Sequence, residues 1–150
     1  SVSENLGKIA VILSLKSNAN QNSLENIGKK IAMHIAASNP ISLNVDGLDP
    51  KIVNKEKQVL IEQAISSGKP KDIAERIVEG RIRKFCDEVV LLEQTFVIDG
   101  KSKIKDVLKQ YSNEIDTEVS IDSFKMLILG QGIEVEEKDF ASEVAATANQ

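Results

Sequence analysis

The sequence has few of the residues that supply covalent, aromatic or membrane-spanning chemistry. Its 150 residues include one cysteine, no tryptophan and 3% aromatic residues. The lone Cys86 excludes an internal disulfide and a zinc site built from several cysteines, and it fits a reducing, cytosol-like compartment. No apolar run approaches the roughly 20 residues that span a bilayer, and the amino end lacks the order of a signal peptide. We therefore expect a soluble chain without a membrane partner.

What the sequence does contain is typical of one globular domain. Hydrophobic residues make up 41% of the chain and charged residues 28%, which argues against intrinsic disorder. The formal net charge is −4, so direct binding of nucleic acid through a strongly basic face is disfavoured. The chain begins at Ser1 without an initiator methionine and becomes apolar within a few residues. Such a beginning is typical of a domain cut from a longer protein.

The spacing of apolar residues predicts an α+β fold. Residues 8–15 are short, apolar and partly β-branched, as in a strand that is buried on both faces. Residues 24–37 have helical spacing and stop before Pro40. Residues 95–98 are extended by composition, and residues 119–129 are typical of a further strand. We expect a small antiparallel sheet of about three strands packed with helices.

Two further helices should form an antiparallel hairpin inserted at about residues 49–84. Asp49 and Pro50 are typical of an N-cap followed by proline at the first helical position. The short turn at 67–69 requires its two helices to lie antiparallel. Because the apolar stripe is narrow and charged residues surround it, we expect a coiled-coil arm that projects from the body. A last short helix is expected at about 137–147.

The arm is the basic part of a chain that is acidic overall. Residues 69–84 carry six basic and three acidic side chains, whereas residues 131–150 carry one basic and five acidic. Such an arm could meet phosphate or an acidic protein surface, but a solvated helix face carries the same residues routinely. Both interpretations stay open for Lys69, Lys71, Arg76, Arg81, Arg83 and Lys84.

No catalytic or metal-binding pattern emerges from the sequence. Nucleophilic catalysis needs a base near a serine or cysteine, and the single histidine, His34, lies in a predicted helix without a second histidine four residues on. We interpret His34 as a structural histidine and Cys86 as a packing residue. Residues 100–102 lack the upstream glycine of a phosphate-binding loop, because Thr95 stands there. We therefore expect no enzyme and no metal or cofactor, but a binding protein.

The short apolar run Phe96, Val97 and Ile98 supplies candidate contacts, because it comes just before a loop. Core burial of the same three side chains is an equal alternative. Five runs of residues then match one family in order and spacing, across essentially the whole chain. They are 34–40, 67–70, 78–81 with 84–85, 91–97, and the closing 130–134 with 139–146. Together these runs resemble elongation factor Ts.

The resemblance implies an activity and a partner. Family members bind elongation factor Tu in its GDP form and promote release of GDP so that GTP can enter, without making or breaking a covalent bond. The similarity covers the family's carboxyl-terminal core subdomain with its inserted hairpin, over residues 1–150. A Thr-Asp-Phe-Val run, whose phenylalanine releases nucleotide in family members, does not occur in this sequence. The chain thus corresponds to docking parts of the factor.

The resemblance also implies where contacts lie. The stretch matching residues 96–98 contacts domain three of elongation factor Tu in the family. The final helix matches a segment that touches the nucleotide domain, which adds Asp139, Phe140 and Glu143, with a core role for Phe140 as an equal option. Some members pair with themselves through this subdomain, so a homodimer through sheet or arm, and a self-association module without exchange activity, are alternatives. The implied location is the bacterial-type cytoplasm or, alternatively, the mitochondrial matrix.

Overall fold

The computed structural model describes residues 7–130. The elements in chain order are β1 (Ile9–Ser17), α1 (Gln21–Ser38), α2 (Pro50–Ser66), α3 (Lys71–Val89), a single 3₁₀ turn (Leu91–Glu93), α4 (Ile104–Glu114) and β2 (Val119–Ile128). The predicted α+β class with a small antiparallel sheet is confirmed. The helix expected at about 137–147 lies outside the described residues.

β1 and β2 pair antiparallel along their whole length. The register shifts once, between Ser14 and Leu15, where Asp122 is the extra residue of a β-bulge. The bulge reverses the alternation of β2, so that apolar side chains on both sides of it face the helices. The inward-facing pairs are Val11 with Met126, Leu13 with Phe124, and Leu15 with Ile121.

Two predictions about strands are wrong. Residues 95–98 form a tight loop, in which only Thr95 makes a bridge, to Lys103. β1 is not buried on both faces, because helices cover one face of the sheet within residues 7–130 and Ile12 on the other face is 65% exposed. In this part of the chain the sheet therefore has two strands rather than about three.

α1 packs at the centre of the core. Asn20 caps its start by accepting the main-chain N–H of Ser23 at 2.9 Å. The helix ends where Asn39 adopts a left-handed φ of 47° ahead of Pro40. α4 packs beside it, and the Tyr111 hydroxyl donates to the carbonyl of Ser23. The buried core comprises Ile27, Ile31, Ile35, Leu91, Phe96, Ile104, Leu108, Val119 and Ile121.

α2 and α3 form the predicted antiparallel hairpin. Asp49 caps α2 by accepting the N–H of Lys51 at 2.9 Å, and Gly68 in the turn has a φ of 74°. α3 ends at Val89. The helices meet through a narrow buried stripe, as expected of an arm, and it consists of Leu60, Ala64, Ala74 and Val78.

The root of the hairpin is tied to the segment after α1 by main-chain hydrogen bonds. The Leu91 N–H donates to the Ser42 carbonyl at 2.8 Å, and the Ile41 N–H donates to the Val89 carbonyl at 2.9 Å. Ser42 and Val90 thereby form a short parallel bridge. The chain that leaves the arm is thus held against the core before it enters the next loop.

Candidate partner-docking loop

The best-defined candidate site is the loop at residues 95–100, between the 3₁₀ turn and α4. Its two legs are joined by the Thr95–Lys103 bridge and by the Phe96 N–H, which donates to the Ser102 carbonyl at 2.7 Å. Its tip is closed by the Gly100 N–H, which donates to the Phe96 carbonyl at 2.8 Å. Gly100 has a φ of 68°, which glycine adopts without steric cost. The loop is therefore a fixed, hydrogen-bonded turn.

Asp99 adds a side-chain cap to the same turn. Its Oδ1 accepts the main-chain N–H groups of Lys101 and Ser102, each at 3.0 Å. Hydrogen bonds from Ser102, and then from Lys101, favour the charged carboxylate and hold the pKa of Asp99 below its ordinary value. At neutral pH the ionised carboxylate thus stabilises the turn through charge-assisted hydrogen bonds.

The loop turns one of the three predicted contact residues inward and two outward. Phe96 is 5% exposed and belongs to the core. Val97 and Ile98 are each 49% exposed at the loop tip. We call these two side chains the contact pair. The other predicted contacts, Asp139, Phe140 and Glu143, lie outside the described residues.

The loop rests on His34, which is completely buried in α1. The ring centroids of His34 and Phe96 are 5.8 Å apart. The main-chain N–H of Val97 donates to Nδ1 of the imidazole at 3.2 Å, and Nε2 lies 2.9 Å from Oε1 of Gln94. Because Nδ1 accepts, the proton of the neutral ring is on Nε2 and is donated to Gln94.

Gln94 fixes the other side of the ring. Its Nε2 donates to the carbonyls of Glu88 at 2.8 Å and Ser38 at 3.3 Å, which leaves Oε1 to accept from His34. Burial lowers the pKa of His34, although the hydrogen bond to Gln94 acts in the opposite direction. The prediction of a structural histidine is confirmed. Its hydrogen bond to the loop is a finding that the sequence did not reveal.

Charged side chains fasten the second leg of the loop. Lys103 Nζ lies 3.0 Å from Asp87 Oδ1 and 2.8 Å from Glu93 Oε2, and Lys105 Nζ lies 2.8 Å from Glu93 Oε1. Hydrogen bonds from Lys103 and then Lys105 lower the pKa of Glu93, and the bonds to Glu93 and Asp87 raise the pKa of Lys103. These pairs connect the start of α4 with the end of α3, through Asp87, and with the 3₁₀ turn, through Glu93.

The other features considered in the sequence concern metal binding, membrane insertion, Cys86 and the charge of the arm. Across residues 7–130, no three His, Cys, Asp or Glu side chains are grouped closely enough to hold a metal ion. None of the helices described there combines the length and apolarity needed to cross a membrane. Cys86 is half-buried in α3, and the basic side chains of the arm are exposed.

The fold and the loop together define an α+β module with an inserted helical hairpin and a fixed turn that presents an apolar pair. The family model described as Elongation factor TS matches residues 3–131. The chain is 48% identical to elongation factor Ts of Rhodospirillum rubrum over 145 residues, which cover 97% of this chain and 47% of that protein. For elongation factor Ts of Rickettsia bellii the identity is 47% over 146 residues, which again cover 97% and 47%.

This chain belongs to the elongation factor Ts family. A further relative, elongation factor Ts of Rhodospirillum centenum, is 47% identical over 144 residues, which cover 96% of this chain and 47% of the relative. The chain thus spans about half the length of the relatives that it matches.

Proposed function

We propose that this chain is a docking part of a translation elongation factor, which binds elongation factor Tu in its GDP form and promotes the exchange of GDP for GTP. Family membership supports a role in elongation. The observation that carries the docking proposal is the contact pair, Val97 and Ile98, presented by a turn that main-chain and imidazole hydrogen bonds hold in place.

Nucleotide exchange requires differential binding rather than a reacting group. A factor that binds the nucleotide-free form of its partner more tightly than the GDP form lowers the partner's affinity for GDP by the same factor. Such a protein makes and breaks no covalent bond, so it needs no nucleophile, metal or cofactor of its own. Its proposed location is the bacterial-type cytoplasm, because the relatives are bacterial, with the mitochondrial matrix as the alternative.

The proposed contacts differ in what supports them. Val97 and Ile98 offer apolar surface on a turn that loses little entropy on binding, because it is already ordered. Phe96 supports the pair from the core. Asp139, Phe140 and Glu143 form a second proposed contact, with the nucleotide domain of the partner, on the family resemblance alone.

A structural self-association module is the second candidate, and the outer face of the sheet supports it. Ile12 and Leu127 are each 65% exposed, and Leu129 is 77% exposed. Within residues 7–130, each strand of the two-stranded sheet also has one edge that pairs with no other strand. A second copy of the chain could cover this face and form a homodimer.

Three measurements on the same preparation distinguish these functions. Calorimetric titration with GDP-loaded elongation factor Tu should give a complex, whereas sedimentation of the chain alone reports self-association. Release of a fluorescent GDP from the complex then shows whether this part of the factor accelerates exchange by itself. Binding without faster release is the result expected of a docking part. Absence of binding contradicts the proposal, and a dimer that does not bind the partner favours self-association.

A further inference from the structure

We infer that His34 is a positioning residue for the partner contact, because its Nδ1 holds the main chain of Val97 so that the contact pair faces outward in one conformation. The inference rests on the proposed function of that pair. His34 is completely buried, so it acts through Val97 and does not itself touch a partner.

The Val97 N–H lies at the boundary between the core and the exposed tip. Phe96, one residue earlier, is buried, and the Val97 side chain is half exposed. A main-chain donor at such a boundary needs an acceptor, and without one the loop would have to turn the N–H toward water. The imidazole supplies that acceptor at 3.2 Å and thereby fixes the direction of the tip.

The orientation of the imidazole is itself fixed by a chain of hydrogen bonds. The carbonyl of Glu88, near the end of α3, accepts from Gln94, whose Oε1 accepts from Nε2 of His34. Nδ1 then accepts from Val97. The root of the arm, α1 and the contact loop therefore share one network. Among the described residues, every buried side-chain nitrogen and oxygen has a hydrogen-bond partner.

The charged side chains on the segments around the imidazole have other partners. Glu88 lies 3.8 Å from Lys84 on its own helix. Glu93 binds the two lysines at the start of α4, and Asp99 caps its own turn. The neutral ring thus acts on the loop through hydrogen bonding rather than through charge.

Two amide substitutions of His34 test the contributions of the two ring nitrogens separately. The amide oxygen of His34→Asn can take the place of Nδ1 and accept from Val97, while the bond to Gln94 is lost. The amide nitrogen of His34→Gln can take the place of Nε2 and keep the bond to Gln94, while the acceptor for Val97 is lost. Nδ1 also lies 3.4 Å from Ser38 Oγ, a long contact at the limit of hydrogen-bond distance. Because each variant keeps one of the two shorter bonds, their thermal stabilities should be similar.

We expect His34→Gln to weaken binding to GDP-loaded elongation factor Tu about fivefold to tenfold and to speed hydrogen exchange at the Val97 amide by a similar factor. His34→Asn should stay within about twofold of the unsubstituted protein in both measurements. Equal losses of affinity in the two variants, with Val97 exchange unchanged, would overturn the inference and leave His34 as a purely structural residue.

Two further measurements distinguish a failure of the proposed function from a failure of the inference about His34. If Val97→Ala with Ile98→Ala binds as the unsubstituted protein does, the proposed function of the contact pair fails. If that double variant weakens binding and His34→Gln does not, the inference alone fails. In the unsubstituted protein, the Val97 amide should exchange more slowly than that of Ile98, whose N–H has no acceptor among the described residues. Equal exchange at the two amides overturns the inference even if no His34 variant folds.

Discussion

Replacing both residues of the contact pair by alanine should weaken binding to GDP-loaded elongation factor Tu about 30-fold. Full burial of a valine or isoleucine side chain is worth about 1.5–3 kcal/mol. Val97 and Ile98 each have 49% of their surface left for a partner to cover. Because alanine retains the first carbon, each substitution removes about 1 kcal/mol of binding free energy, and the two together remove about 2 kcal/mol.

Calorimetric titration measures this loss, and the outer face of the sheet offers a matched control. Ile12 and Leu127 are each 65% exposed, so Ile12→Ala with Leu127→Ala removes at least as much accessible apolar surface. Non-specific adhesion would make the control lose as much affinity as the test variant, whereas docking through the loop leaves the control unchanged. Unchanged affinity in the Val97 and Ile98 double variant, or an equal loss in the control, refutes the reasoning.

Three further predictions concern stability. The free energy of unfolding should fall as the pH drops below about 6.5, because buried His34 stays neutral while the unfolded chain takes up a proton there. Urea unfolding between about pH 8 and pH 5 should show this loss, and His34→Gln should remove it. Lys103→Met breaks two partly exposed ion pairs and should cost about 0.5–1 kcal/mol at low salt and less at high salt, which denaturant melts at two ionic strengths would measure. Ile31→Ala leaves a cavity in the core and should cost about 2–5 kcal/mol, whereas exposed Ile12→Ala should stay within about 0.5 kcal/mol in the same melts.

Each of these stability predictions has a contradicting result. A pH dependence that persists in the His34 variant would assign the proton uptake to another group. A salt-independent loss in the Lys103 variant would mean that packing of the lysine stem, rather than charge, stabilises the junction. Equal losses of unfolding free energy in Ile31→Ala and Ile12→Ala would mean that Ile31 does not lie in the core.

The helices could be predicted from the sequence because their ends carry local signals. Asp49 and Pro50 mark the start of α2, and Pro40 marks the end of α1, through effects that act within a few residues. The helical spacing of residues 24–37 also predicts the face of α1 on which Ile27, Ile31 and Ile35 are buried, although it does not single out buried His34. The hairpin followed from the same signals.

The sheet and the candidate site depend on contacts that no local pattern encodes. A run such as 8–15 fits a strand buried on both faces, but whether a second layer covers the outer face depends on the rest of the fold. The bulge at Asp122 depends on register with β1. Gln94 and His34 are 60 residues apart in sequence, and only the folded chain joins them to Val97. In the sequence, the only signal of these hydrogen bonds is a lone histidine together with a glutamine just before the loop.

The most direct test of docking through the loop tip is a methyl NMR titration of the chain with GDP-loaded elongation factor Tu. With valine, isoleucine and leucine methyl groups labelled, the signals of Val97 and Ile98 should shift or broaden first. The signals of Ile12 and Leu127, on the outer face of the sheet, should stay unchanged. If the outer-face signals respond while those of Val97 and Ile98 do not, the partner binds elsewhere and the docking claim is contradicted.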